Sequence, residues 1–398
     1  MKKVVIIGGG AAGMISAIKA SENNEVILIE GNDKCGKKLL ITGNGKCNYW
    51  NENISLDNYF TDDENNLKEI LNHKDEVLNL LYKLGIYPKI KNGYYYPYSS
   101  QASSVREILE NEIERRHIKV MYETRVVDVD KVDGRFMIKT SAGTVDADKV
   151  IVATGSKAAP KTGSDGFGYQ IAENFGHQIN CVLPALVQLK SDGWYLKEWN
   201  GVRQDARLTL YIDDEKVTEE EGELQMTQDG ISGICTFNIS SLASRALSKG
   251  SKVKVSINFS PFLNGSFYDF FDARSKDIPN QSIGELLESI LNYKLINVIL
   301  HKSHLSRGVY WKSLTEKEKI ELCSNVDNFE VDILDTNSYD KGQVCTGGVS
   351  LSEVDENMQS TKCDNLYLVG ELLDVDGKCG GFNLAFAFIT GYLAGKGI

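Results

Sequence analysis

The sequence predicts an α/β fold carrying an inserted second region, and three stretches of its 398 residues support that expectation. Near the start, the apolar β-branched run Val4 to Ile7 leads into Gly8-x-Gly10-x-x-Gly13, and Met14 to Ala20 continue at helical spacing. Near the end, Leu366 to Val369 read as a buried strand closing on Gly370-Glu371, and Gly380-Gly381 precede a helix-like run from Phe382 to Ala394. Between them, from about Pro184, the texture changes to short β-rich segments and then to helical spacing. The strand, glycine turn and helix at the start are the signature of a Rossmann-like dinucleotide-binding domain. The middle stretch then reads as a β-barrel-like or sandwich region, followed by a helical part, inserted into it.

Taken in order, each glycine of the first motif has a physical task. Gly8 permits the tight turn, Gly10 lets the backbone approach a pyrophosphate, and Gly13 allows the helix to pack closely on the strand. The helix N-terminus then faces the negative charge. A second buried strand, Glu25 to Glu30, ends in a carboxylate twenty residues beyond Gly10, where it accepts ribose hydroxyls and repels a 2′-phosphate. The tightly held nucleotide is therefore FAD or NAD. Glu371 favours FAD, because a carboxylate closing a second strand can reach a ribityl hydroxyl. The helix beginning after Gly381 would turn its positive end toward the pyrimidine edge of a flavin, where charge builds on reduction.

Further signatures connect these ends. Cys35-Gly36-Lys37-Lys38-Leu39-Leu40-Ile41-Thr42-Gly43-Asn44-Gly45-Lys46-Cys47-Asn48, Val150 to Gly155, Thr346-Gly347-Gly348-Val349 and Gly370 to Gly377 occur in that order. The chain thereby resembles the YhiN/BaiN-like, or aminoacetone-oxidase-like, flavoproteins over its whole length. The resemblance implies a two-dinucleotide-binding-domain flavoprotein, an oxidoreductase with noncovalent FAD. With the fingerprint, the resemblance implies an expected cofactor-binding set: Gly8, Gly10, Ala11, Ala12, Gly13, Glu30, Gly31, Lys38, Leu39, Thr42, Gly43, Asn44, Cys47, Asn48, Val126, Ala153, Thr154, Gly155, Gly370, Glu371, Asp376, Gly380, Gly381, Asn383 and Leu384. The chain departs from the family pattern at Asn44 and Lys46, where glycine and arginine are common, and at Gln228 and Ile234, where histidine and proline are common. Lysine keeps the charge of arginine without its planar fork.

Motifs at residues 8–48, 150–155 and 346–384 must reach one FAD, so the chain is expected to leave one domain and return to it. The expected FAD-binding domain is discontinuous, residues 1–185 and 341–398. The inserted substrate-side domain covers 186–340, β-rich over 186–265 and helical over about 280–325. Leu67 to Leu84 and Val105 to His117 read as amphipathic helices and Lys119 to Val129 as a strand. Phe136 to Thr140 with Thr144 to Ala147 read as a hairpin around Ala142-Gly143. Ala185 to Lys190, Arg207 to Ile212, Gly222 to Met226 and Lys252 to Asn258 read as strands with little room for helices. Ile283 to Leu300, capped by Ser282, and Leu314 to Cys323 read as helices, and Phe329 to Leu334 as a returning strand.

Composition narrows the function. A net charge of −11 opposes nonspecific nucleic-acid or anionic-membrane binding. Lys34, Lys37, Lys38 and Lys46 form one local basic cluster, read either as solvated lysines or as a counter-charge to an anionic ligand. Four apolar residues before the first glycines are too few for a signal peptide, and no run approaches a membrane span, so a cytoplasmic protein is expected. Eight cysteines without C-x-x-C spacing exclude a disulfide framework, with Cys47 and Cys345 notable for lying inside signatures. No histidine pattern marks a metal, and the tyrosines of Tyr94 to Tyr98 suit packing. Gly163 to Gly168 lack the strand and distal acid of a second nucleotide fingerprint, so NADH or NADPH would act as a transient donor. The expected chemistry is hydride transfer at flavin N5 to a small organic substrate, with the pocket between the FAD domain and the insertion. An amine oxidase using oxygen, a folate- and FAD-dependent RNA-modifying enzyme and a noncatalytic flavin-binding protein are the alternatives. The acidic balance counts against RNA, and a reduced cytoplasm, supplying nicotinamide hydride continuously, favours the reductase over the oxidase.

Overall fold

Strand β1 (Lys3–Ile7) and strand β2 (Glu25–Ile29), joined by helix α1 (Ala11–Ala20), lie side by side in parallel, Val5 opposite Ile27 and Ile7 opposite Ile29. Both are continuous apolar runs because a central parallel strand is covered on both faces; Val4, Val5, Ile6 and Leu28 are fully buried. Strands β3 (Lys119–Met121), β4 (Lys149–Val152) and β5 (Leu366–Leu368) complete a five-stranded parallel sheet in the order β5-β4-β1-β2-β3. Helix α2 (Phe382–Lys396) follows β5 and packs along α1. The strand order reverses between β1 and β4, and open α/β sheets bind ligands outside the carboxyl ends of their strands at such a switch point.

This computed structural model describes Met1–Ile398. The chain forms two compact units, Met1–Pro184 with Tyr339–Ile398, and Ala185–Ser338. In the first, the segment expected as one strand from Lys119 to Val129 is two, β3 and Val126–Val132. The break arises where Glu123 takes a φ of 50° and Thr124 N donates to Glu30 O at 3.0 Å, turning the chain out of the parallel sheet. Val126–Val132 then pairs with Arg135–Thr140, and that with Gly143–Ala147, in an antiparallel three-stranded sheet between β3 and β4. The helix expected over Leu67 to Leu84 divides into Glu64–Leu71 and Lys74–Leu84, the first capped by Asp63 and the second ended by Gly85 at φ 99°.

The second unit is built on seven strands in the order Phe329–Ile333, Val253–Asn258, Arg203–Ile212, Glu215–Thr227, Gly230–Gly233, Leu189–Lys190 and Asp335–Thr336. The two outermost strands are consecutive in the chain, separated by Leu334, whose N–H donates to Lys190 O at 2.9 Å. One bent strand thus supplies both edges, and the sheet curls shut like a barrel. Helix Ile234–Ser248 corrects the expectation of little room for helices among these strands, and Phe267–Asp277 is a further helix ahead of Ser282. Thr236 Oγ1 donates to Ser232 O and Ser240 Oγ to Phe237 O, so the hydroxyls of this helix are buried by bonding back to local backbone. The run Ile283 to Leu300 also divides, into Ile283–Leu287, with a capping box from Ser282 and Glu285, and Tyr293–Lys302, capped by Asn292.

Candidate functional site

The candidate site is built in the first unit around the N-terminus of α1. Gly8, at φ 103°, donates its N–H to Ile29 O at 2.8 Å, and a Cβ there would lie 2.5 Å from Ala153 O. A Cβ on Gly13 would stand 1.9 Å from Gly8 O, so helix and strand touch backbone to backbone. Gly10 differs from both, because a Cβ there would meet nothing within 4 Å. As N-cap it offers no side-chain acceptor, and the first turn, Ala11 to Gly13, contains no acid. The positive end of α1 therefore opens onto space.

Around that opening stand two carboxylates. Glu30, 8% exposed at the end of β2, accepts from Gly9 N at 2.8 Å on Oε2 and from Asn32 N and Nδ2 at 2.8 and 2.7 Å on Oε1. Gly9 and Asn32 hold this acid and were not singled out from the sequence; the signal was the middle glycine of the Gly8 to Gly10 run and an amide two residues past the acid. Cys35 fills the space beside Gly9, and burial, with Glu30 and Glu110 nearby, pushes its thiol up to about 12. Gly370 brings the second carboxylate: its N–H donates to Thr390 Oγ1 at 3.0 Å, and a Cβ on it would lie 3.1 Å from the Ala12 Cβ. The adjoining Glu371 takes Lys38 Nζ at 2.5 Å and Ser156 Oγ at 3.0 Å, both on Oε2.

The end of β4 adds a third element. Ala153 N donates to Ile7 O, the Thr154 hydroxyl is buried without a partner, and Gly155 turns at φ 75°. The loop containing Gly163 to Gly168 packs on this turn: Ser164 Oγ donates to Ser156 O at 2.7 Å, and a Cβ on Gly168 would strike Thr154 Oγ1. Gly31 borders the Arg125 stem, and Val126 is half-buried at the head of its strand, two residues past the Thr124 contact with Glu30.

The remaining expected residues form a neighbouring group. Leu39 is buried, and Thr42 Oγ1 donates to its carbonyl at 2.7 Å. Gly43 and Asn44 both sit near φ 55° in the left-handed region, which asparagine tolerates better than other residues with a Cβ, so the change from glycine keeps the turn. Cys47, also left-handed, is fully buried, and burial pushes its thiol up to about 12. Oriented to satisfy its neighbours, the Asn48 amide meets Tyr95 O, Trp50 O and Gly381 N. Gly380 O accepts from Asn51 Nδ2 at 2.8 Å, and a Cβ on Gly381 would lie 2.5 Å from Trp50 O. Asn383 is turned back on its own chain, bonded to Gly377 N and O at 2.8 and 2.7 Å, Asp376 is buried in a short strand against Tyr59–Thr61, and Leu384 packs on the core. Lys37 is tied to Asp33 at 2.8 Å, and burial raises the Cys345 thiol.

One unforeseen constellation lies elsewhere in this unit. His177 Nδ1 is 3.0 Å from Glu353 Oε2 and its Nε2 is 2.7 Å from Ser360 Oγ. The order of groups resembles a hydrolytic triad, but Ser360 Oγ also accepts from Lys362 N and Cys363 N at 3.0 and 2.9 Å and is 4% exposed. With its lone pairs engaged and no access, it is a buried staple and not a nucleophile.

A family model described as the HI0933-like protein Rossmann domain matches residues 2–397. The chain belongs to this family. The HI0933-like chain is 38% identical over 403 residues to the 3-dehydro-bile acid delta(4,6)-reductase of Clostridium scindens, covering 100% of this chain and 98% of that protein. It is 28% identical over 392 residues to the ribosomal RNA dihydrouridine synthase of Escherichia coli, covering 98% and 96%. Among solved structures, a 3-ketosteroid-delta4-(5alpha)-dehydrogenase from Rhodococcus jostii RHA1 superposes with a TM-score of 0.51 at 13% identity, over 99% of this chain and 96% of that one, a likeness of fold. The HI0933-like chain is an FAD-dependent oxidoreductase with a Rossmann-type flavoprotein domain. None of its helices is long and apolar enough to cross a membrane.

Proposed function

We propose that this HI0933-like protein uses NADH or NADPH to reduce a carbon–carbon double bond conjugated to a carbonyl in a small organic substrate. FAD, when bound, supplies hydride from N5. The open N-terminus of α1 at Gly10, flanked by Glu30 and Glu371, carries the reading: its amides suit a pyrophosphate and its two acids suit hydroxyls. In this reading Gly8, Gly10 to Gly13, Glu30, Gly31, Val126, Ala153 to Gly155, Gly370 and Glu371 hold FAD. Lys38 to Asn48, Asp376 and Gly380 to Leu384 complete the binding set. Residues 186–340 govern substrate choice, and the nicotinamide binds only transiently, since no second fingerprint is present.

The names of the two relatives support the reaction class. A delta(4,6)-reductase of a 3-dehydro steroid and a synthase of dihydrouridine both saturate a double bond conjugated to a carbonyl. The second relative also favours a second reading, in which the double bond belongs to a uracil in RNA. The net charge of −11 weighs against it, because backbone binding to RNA scales with cationic contacts. The experiment is oxidation of NADH and NADPH by the purified protein with a panel of cyclic enones, a steroid dienone, an uridine-containing RNA and aminoacetone. Turnover with an enone and none with RNA is expected. Turnover with RNA alone selects the second reading, and oxygen consumption with aminoacetone alone removes both.

A further inference from the structure

The Lys38–Glu371 ion pair links the two glycine-rich ends of the chain. Lys38 stands on the short helix Lys37–Ile41, whose entry is anchored to the fingerprint by Gly36 N donating to Gly9 O at 2.9 Å. Glu371 follows Gly370, which packs on Ala12 in the first turn of α1. The contact between their side chains, 2.5 Å with 22% and 18% exposure, therefore ties together two segments that each border the N-terminus of α1. The other carboxylate flanking the opening, Glu30, is held by neutral donors, the amides of Gly9 and Asn32. Glu371 has a single neutral donor, Ser156, on the same oxygen that takes Lys38. Removing the ammonium would leave a poorly solvated carboxylate beside a site meant for a cofactor with an anionic pyrophosphate.

We infer that Lys38 is a positioning residue for the cofactor: it neutralises Glu371 and holds its Oε2, leaving Oε1 to a cofactor hydroxyl and removing a like charge from the path of the pyrophosphate. The inference rests on the proposed FAD reading of this opening. Its signature is coupling between two residues 333 positions apart. A lysine that only met phosphate would act independently of Glu371. A lysine that acts through Glu371 loses its importance once the carboxylate is gone.

The test is the dissociation constant of FAD, measured by flavin fluorescence on apoprotein prepared from the purified holoprotein. Wild type is compared with Lys38→Met, Lys38→Arg, Glu371→Gln and the double variant Lys38→Met/Glu371→Gln. Lys38→Met is expected to weaken binding by about tenfold or more, and Lys38→Arg, which keeps the charge, by less than about threefold. The double variant is expected to bind as Glu371→Gln does. Far-ultraviolet circular dichroism of each apoprotein reports folding, and the arginine variant and the double variant decide the matter should Lys38→Met fail to fold. Unchanged affinity in Lys38→Met, or single losses that simply multiply in the double variant, overturns the inference while leaving the FAD reading intact. Failure of wild-type apoprotein to take up FAD removes the reading itself and the inference with it.

Discussion

Gly10 and Gly13 are three residues apart and fail in different ways when a side chain is added. The Cβ of a substituted Gly10 enters open space, so Gly10→Val is expected to give a folded protein whose cradle is obstructed: soluble, with an unchanged melting temperature, and colourless. The ratio of flavin to protein absorbance checks this, and stoichiometric FAD in the variant would contradict the assignment. At Gly13 the same change drives a carbon against Gly8 O, so misfolding is expected instead. These roles were legible because the motif dictates where backbone must touch backbone. His177 was not legible, since its partners Glu353 and Ser360 lie far along the chain. Burial lowers its pKa below the ordinary 6.5, with Glu353 opposing. Above 6.5 the ring is neutral in folded and unfolded chains, but below it the unfolded chain binds the proton first, so stability falls as pH drops. A melting temperature that declines between pH 7 and pH 5.5, and declines less in His177→Gln, is the expected result.

At the scale of elements, the pairing of α1 with α2 depends on small residues facing each other. A Cβ on Gly391 would sit 2.4 Å from Ala12 O, and one on Gly395 would sit 2.8 Å from Ser16 O; Ser16 Oγ donates to Gly391 O at 2.9 Å. Gly391→Leu is expected to push α1 outward and cost about 1–3 kcal/mol or more by overpacking. Because Ala12 also meets Gly370, FAD affinity should fall along with stability, and thermal unfolding with and without added FAD measures both. The helix α2 was visible as an apolar run and not as an amphipathic pattern, because it is buried nearly all round. Where the reading failed, caps decided the outcome. Asn292 and the Asn72-His73 junction start new helices inside apolar periodicity that continues across them. The helix Ile234–Ser248 was hidden because its buried hydroxyls bond to backbone and mimic a loop composition.

At the scale of the whole molecule, the strand order β5-β4-β1-β2-β3 puts the ends of β1, β4 and β5, supplied by residues 7, 152 and 368, at one switch point. That is why motifs scattered through the sequence were legible as one site, whereas the barrel-like unit, with strands of ordinary alternation, announced its class but not its closure through Leu334. The reaction rests on that site holding FAD and on the substrate being a conjugated alkene. Anaerobic stopped-flow spectroscopy tests this most directly: the purified yellow protein is first mixed with NADH or NADPH, and the reduced protein is then mixed with a cyclic enone under argon. The expected result is that the flavin band near about 450 nm is bleached by the nicotinamide faster than by any simple amine, and that the enone restores it without oxygen. A flavin bleached by amine alone, unresponsive to either nicotinamide and recoloured only by air with release of peroxide, would contradict it.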